Sequence, residues 1–214
     1  MIISTRRRYI FVHIPKTGGT SLALALEARA AADDILIGDT PKAQRRRGRL
    51  KGLQAAGRLW KHSTLADIDG VLPPDQMAQM KVICMVRNPW DRLVSYYHWL
   101  QEQTFDHEAV RLAQALSFSG FLNHPHTQAS FLQWPFERHV TLANGAKRGD
   151  FFVRLEDFQR DIAAFEAHLG FGIELPKTNV SRRRRDYRSY YSEADSELVA
   201  RLCAEDIARF GYAF

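Results

Sequence analysis

The stretch Tyr9-Ile-Phe-Val-His-Ile-Pro-Lys-Thr-Gly-Gly-Thr-Ser-Leu22 decides the fold class. Tyr9–Ile14 is a short β-rich apolar run, Pro15 to Ser21 is turn-forming, and LALALEARAAA from Leu22 is a strong helix former. A strand, a Gly-containing loop and a helix in that order begin a βαβ unit. At such a junction the backbone N–H groups and the positive helix end favour an anion. Gly18 and Gly19 let the backbone close around a phosphate, Thr17, Thr20 and Ser21 offer hydroxyls, and Lys16 adds a mobile point charge. The lysine precedes the glycines, so this is not the GxxxxGK[ST] loop of nucleotide triphosphatases. A plain Gly turn with a polar helix cap is the structural alternative.

Moving outward, Lys81–Val86 (KVICMV) reads as a second buried parallel strand, followed at once by Arg87-Asn88-Pro89. Asn88 is suited to cap, and Pro89 to open, the helix WDRLVSYYHWL, because proline lacks the N–H that is unpaired there. Trp90, Leu93, Val94, Tyr97 and Leu100 follow helical spacing and are expected to face the core, with Asp91, Arg92 and Ser95 off that stripe. Arg87 offers a guanidinium fork and Ser95 a hydroxyl for a second phosphate, although an ion pair between Arg87 and Asp91 is the ordinary reading of Arg87 alone. Ligands of parallel sheets bind at the strands' carboxyl ends, so two such junctions predict a ligand with two separate phosphates.

Phe151–Leu155 is predicted as a third strand, Asp106–Leu116 and Asp157–Leu169 as helices, the latter stopped at Gly170 and capped by Asp157. Ser192 starts a last helix running to about Phe210. Asp33–Leu59 lacks a sustained period and is read as a long loop with at most one short helix. Strands alternating with helices predict a parallel α/β sandwich, expected to form a single domain over residues 1–214.

The 214 residues, 45% hydrophobic and 25% charged, exclude a disordered chain and supply a real core. The net charge of +6 is local: Arg45–Lys51 and Arg182–Arg188 carry five bases each, and the remainder is slightly acidic. That favours a defined anionic partner over the coating of long polyanions. Two cysteines form no spaced framework, and no apolar stretch reaches the roughly 18 residues of a membrane span, so a reduced, cytoplasmic setting is expected.

The motif FVHIPKTGGTSL resembles the 5′-phosphosulfate-binding motif, and VRNPWDRLVSYY the 3′-phosphate-binding motif, of sulfotransferases that use 3′-phosphoadenosine-5′-phosphosulfate (PAPS). The similarity is to the carbohydrate-type branch that includes heparan 2-O- and chondroitin sulfotransferases and bacterial members. Weaker resemblances occur at Lys61–Thr64, at His126–Leu132, at Val153–Phe158, and at Asn179–Ser181 with the arginine run, Asp186-Tyr187 and the ending FGYAF.

This resemblance implies a P-loop NTPase-like sheet flanked by helices, the sulfotransferase fold. It implies that Lys16, Gly18, Gly19, Thr20 and Ser21, within the loop that includes Thr17, hold the phosphosulfate, while Arg87 and Ser95 hold the 3′-phosphate. Sulfuryl transfer to a hydroxyl of a carbohydrate or polar metabolite would proceed by in-line displacement. Lys16 would stabilise the departing oxygen and His62 would act as general base, with no metal needed. His124 and His126 are the alternative bases. His13 is expected to pack beneath the loop, and His98, His107, His139 and His168 to lie at the surface. Trp134, Phe131 and Phe136 either line the acceptor pocket or are core. The other functions weighed are an ATP-dependent small-molecule kinase, which needs Mg²⁺ and an acidic ligand, and a non-catalytic protein binding nucleic acid or glycan through Arg45–Arg49 and Arg182–Arg185.

Overall fold

Tyr9–Val12, every residue of it buried, pairs in parallel with Lys81–Val86, and that strand pairs in parallel with Phe151–Arg154. The three predicted strands therefore lie side by side in the expected sense. The computed structural model describes residues 1–176 and 183–214; Asn179, Val180, Ser181 and Arg182 of the C-terminal motif fall outside the described residues.

In chain order the elements are β1 (Ile2–Ser4), β2 (Tyr9–Val12), α1 (Gly19–Ala28), β3 (Ile35–Leu36), α2 (Pro41–Arg46), α3 (Pro74–Gln79), β4 (Lys81–Val86) and α4 (Pro89–Gln101). There follow α5 (Glu108–Ala115), α6 (Phe118–Asn123), α7 (Pro125–Gln133), α8 (Phe136–His139), β5 (Phe151–Arg154), α9 (Phe158–Asp161), α10 (Ala163–Leu169), α11 (Glu193–Leu202) and α12 (Ala204–Phe210). The chain gathers into two compact units, one of Met1–Val86 with Phe136–Thr178, the other of Arg87–Pro135 with Asn179–Phe214.

The first unit holds the whole sheet, in the order β3-β1-β2-β4-β5. It is mixed: β1 runs antiparallel to both β2 and β3, so an antiparallel edge adjoins the predicted parallel centre. Arg8, at φ 52°, turns the chain between β1 and β2, and its N–H donates to the Thr5 carbonyl at 3.2 Å. Leu22 and Leu26 of α1 and Phe165 of α10 pack with Tyr9, Phe11 and Ile83 of the sheet. Asp33–Leu59 holds more order than a long loop. Ile35 and Leu36 pair with β1, Thr40 caps α2 by accepting from the Ala43 N–H, and a 3-10 turn spans Arg47–Leu50.

The second unit is helical and centres on α4. Asn88 caps it by accepting from the N–H groups of Trp90 and Asp91, and Pro89 occupies its first turn, as predicted. Trp90, Leu93, Val94, Tyr97 and Leu100 are buried with Val110, Phe121 and Val199. Arg92 and Ser95, expected off the core stripe, are buried too, because other segments of the unit cover α4 on more than one side; the Arg92 guanidinium lies 5.9 Å from the Phe131 ring centre. Ser192 caps α11, and the buried Asp195 accepts from Ser119 and Asn123, tying α11 to α6. Cys84 and Cys203 are both buried, each within its own unit. Among the described residues, no helix is long and apolar enough to cross a membrane.

Candidate functional site

The loop from Pro15 to Gly18 is shaped by two left-handed residues, Lys16 at φ 65° and Gly18 at φ 82°. Glycine adopts that region freely, whereas lysine pays a steric cost. Thr17 is fully buried and its Oγ1 donates to the Ile14 carbonyl at 2.9 Å. Its hydroxyl thus closes the loop from inside. Gly18 is the N-cap of the ten-residue α1 and brings no side-chain cap. Thr20 and Ser21 stand in the first turn and are partly exposed.

Close approach explains the second glycine. A Cβ on Gly19 would lie 2.3 Å from Cδ2 of the buried His13 ring, so a side chain there would have to displace the imidazole. One on Gly18 would lie 2.9 Å from Leu155 Cδ1. Bare backbone at a helix start, flanked by a lysine and two hydroxyls, fits an anion of phosphate size.

His13 joins this cradle to His62. The Nδ1 of His62 is 2.7 Å from the His13 carbonyl oxygen, and the two ring centres are 4.7 Å apart. A carbonyl only accepts, so Nδ1 carries the proton and the lone pair sits on Nε2. Burial lowers the His62 pKa to about 4, against the opposing pull of that hydrogen bond. Burial, and then the neighbouring His62, also hold the His13 pKa well below the usual imidazole range. Trp60 stands 5.1 Å from the His62 ring, edge to face, and is 41% exposed. The backbone N–H of Trp60 donates to Ser63 Oγ at 2.9 Å, which pins the turn that presents it.

In the second unit, Arg87 grips Asp91 through Nε at 3.0 Å and Nη2 at 2.7 Å. Arg183 donates to the other oxygen of the same carboxylate. Ser95 follows Asp91 by one helical turn and is buried. The pairing of Arg87 with Asp91 is visible in their i, i+4 spacing; the arrival of Arg183 from 92 residues away has no local signal.

The remaining expectations sort as follows. His124 caps α7, its Nδ1 accepting from the His126 N–H at 3.3 Å, and His107 caps α5 in the same way. His139, expected at the surface, is buried, because its carbonyl accepts from Leu65 N–H and draws the residue into the first unit's core. Phe136 is core, Phe131 packs against the second unit's cluster, and Trp134 is exposed. Asp157 forms no side-chain cap on α9; it pairs with Arg160 at 2.6 Å instead. Arg154 pairs with Asp161, and that hydrogen bond above all holds the Asp161 pKa down to about 2.

Comparison with known proteins gives one family. The profile of the sulfotransferase family matches residues 1–213. No curated protein matches the chain. Among solved structures, mouse sulfotransferase SULT7A1 complexed with PAP is similar, with a TM-score of 0.52 and 20% identity over 96% of this chain and 86% of that one. That likeness bears on the fold alone, and the fold is the sulfotransferase one expected. That match spans the cradle, His62 and the start of α4, and by it the chain belongs to the sulfotransferase family.

Proposed function

We propose that the chain transfers a sulfuryl group from PAPS to a hydroxyl of a carbohydrate or another polar metabolite, with His62 as general base. Bound here, PAPS supplies an activated sulfuryl group on a phosphate leaving group. The cradle of Lys16, Gly18, Gly19, Thr20 and Ser21 holds the 5′-phosphosulfate, through backbone N–H groups, the two hydroxyls and the lysine charge. Arg87 and Ser95 hold the 3′-phosphate by charge-assisted and hydroxyl hydrogen bonds. Nε2 of His62 takes the acceptor's hydroxyl proton as the oxygen bonds to sulfur, and Lys16 offsets the charge left on the phosphate oxygen.

The observation that carries this reading is the link from cradle to base: the His13 ring lies against Gly19 while the His13 carbonyl fixes the tautomer of His62. The mouse sulfotransferase of similar fold is complexed with PAP, which supports the same nucleotide for this chain. An exposed Trp60 beside His62 supports an acceptor with a flat, partly apolar face, such as a sugar ring.

Calorimetric titration tests the assignment. Adenosine 3′,5′-bisphosphate is expected to bind at micromolar or tighter affinity without Mg²⁺, and 5′-AMP more weakly. Lys16→Ala and Arg87→Ala should each weaken the bisphosphate by about tenfold or more, since a charge-assisted contact contributes about 1.5–3 kcal/mol. Unchanged binding in both variants overturns the two-phosphate assignment, and a preference for Mg-ATP moves the chain to the kinases.

A further inference from the structure

Within the second unit, Asp91 carries two arginines at once. Arg87 uses Nε and Nη2 on Oδ2, and Arg183 uses Nη2 on Oδ1. The three side chains are largely withdrawn from water, the arginines 11% exposed each and the aspartate 17%. Two positive charges and one negative leave the cluster with a surplus positive charge in a place of reduced solvation, a condition that favours an anion. The Nη1 of Arg183 is buried and has no hydrogen-bond partner among the described residues. A buried donor of that kind is destabilising, and native structures resolve it with a ligand, an ion or water.

Helical spacing adds a second observation. Asp91, Ser95 and His98 stand at i, i+4 and i+7 on α4, so they share one face, and Arg87 immediately precedes the helix. The Nε2 of His98 is also buried, with no hydrogen-bond partner among the described residues. The two residues assigned to the 3′-phosphate, Arg87 and Ser95, thus flank Asp91 along the chain by four residues on either side.

We infer that Asp91 is a positioning residue: it holds the guanidinium groups of Arg87 and Arg183 in fixed orientation to receive the 3′-phosphate, and so creates the preference for nucleotides that carry one. This rests on the reading of Arg87 and Ser95 given above. A guanidinium held along one edge by a carboxylate presents its remaining N–H groups in a set direction. Without the carboxylate the two cations repel, and each long side chain has to be ordered when the anion arrives. The opposite role is a competitor: a carboxylate that occupies both arginines and must be displaced by phosphate.

The two roles give opposite results in one experiment. The dissociation constants of adenosine 3′,5′-bisphosphate and of 5′-AMP are measured by calorimetry on the wild type, Asp91→Asn, Arg183→Ala and the double variant. Asp91→Asn is expected to lose about tenfold or more of the preference for the bisphosphate while its affinity for 5′-AMP stays within about twofold. The double variant should lose less than the sum of the two single losses, because part of what Asp91 does passes through Arg183. A preference that is unchanged or greater in Asp91→Asn overturns the inference in favour of the competitor. Equal weakening of both nucleotides overturns it in favour of a merely structural role. A wild type without any preference removes the 3′-phosphate assignment itself, and the inference with it. If Asp91→Asn does not fold, Arg183→Ala decides: it keeps Arg87 on Asp91, and a preserved preference overturns the shared clamp.

Discussion

At the scale of single residues, burial keeps the imidazole of His62, the proposed base, neutral. Its pKa, lowered to about 4, leaves it neutral across the physiological range, and the His13 carbonyl puts the remaining proton on Nδ1. The lone pair needed for a hydroxyl proton is therefore present before substrate arrives. The profile of kcat/KM for the donor is expected to stay flat down to about pH 5 and to fall as His62 gains a proton near pH 4. A limb near 6.5 in that profile contradicts the assignment. His62→Ala should slow turnover by roughly 10²–10⁴-fold while donor affinity is kept, read by turnover and titration together. The choice of His62 rests on its Lys-His segment. Its partner is not legible in the sequence, since the hydrogen bond spans 49 residues, and only the folded sheet brings them together. Thr17 is illegible for a different reason: a hydroxyl beside a loop reads alike whether it turns outward or closes on Ile14.

Elements were most legible where local chemistry marks their ends. Asn88 and Pro89 announce the start of α4, and Gly170, at φ 75°, the end of α10. Asn88 also donates to Tyr187 Oη at 3.2 Å and to the Ala213 carbonyl at 2.9 Å, so its amide serves the cap and the C-terminal segment together. Asn88→Ala is expected to cost about 1–2 kcal/mol, a fall of about 2–8 °C in melting temperature by calorimetry. Elements defined by packing were harder to read. The two long predicted helices are each broken, at Ile162 and at Cys203, with neither proline nor glycine at the break; both residues are buried, and tertiary burial sets the interruption. β1 and β3 have three and two residues, too few to show a period, and exist through pairing with each other and with β2.

For the molecule as a whole, stability follows protons. His13 and His62 have folded pKa values below the unfolded value near 6.5, so the unfolded chain binds more protons as acid is added. Their contribution is complete above pH 6.5 and is lost as pH falls toward 4. Asp150, Asp161 and Asp195, whose pKa values are lowered, add a second loss below about pH 4, whereas Glu27, raised by burial, acts in the opposite sense. Melting temperature is expected to decline from pH 7 to pH 5 and more steeply below pH 4; a flat line between 7 and 5 would show that the histidines are not held neutral. Lys16 bears on stability from another direction. A lysine in the left-handed region strains the fold by about 1–2 kcal/mol, which a glycine in its place would relieve. A search for heat-resistant variants of this chain, blind to chemistry, would tend to discard the lysine proposed to charge the cradle, so on that proposal the gain in robustness and the loss of donor binding would arrive in the same clone.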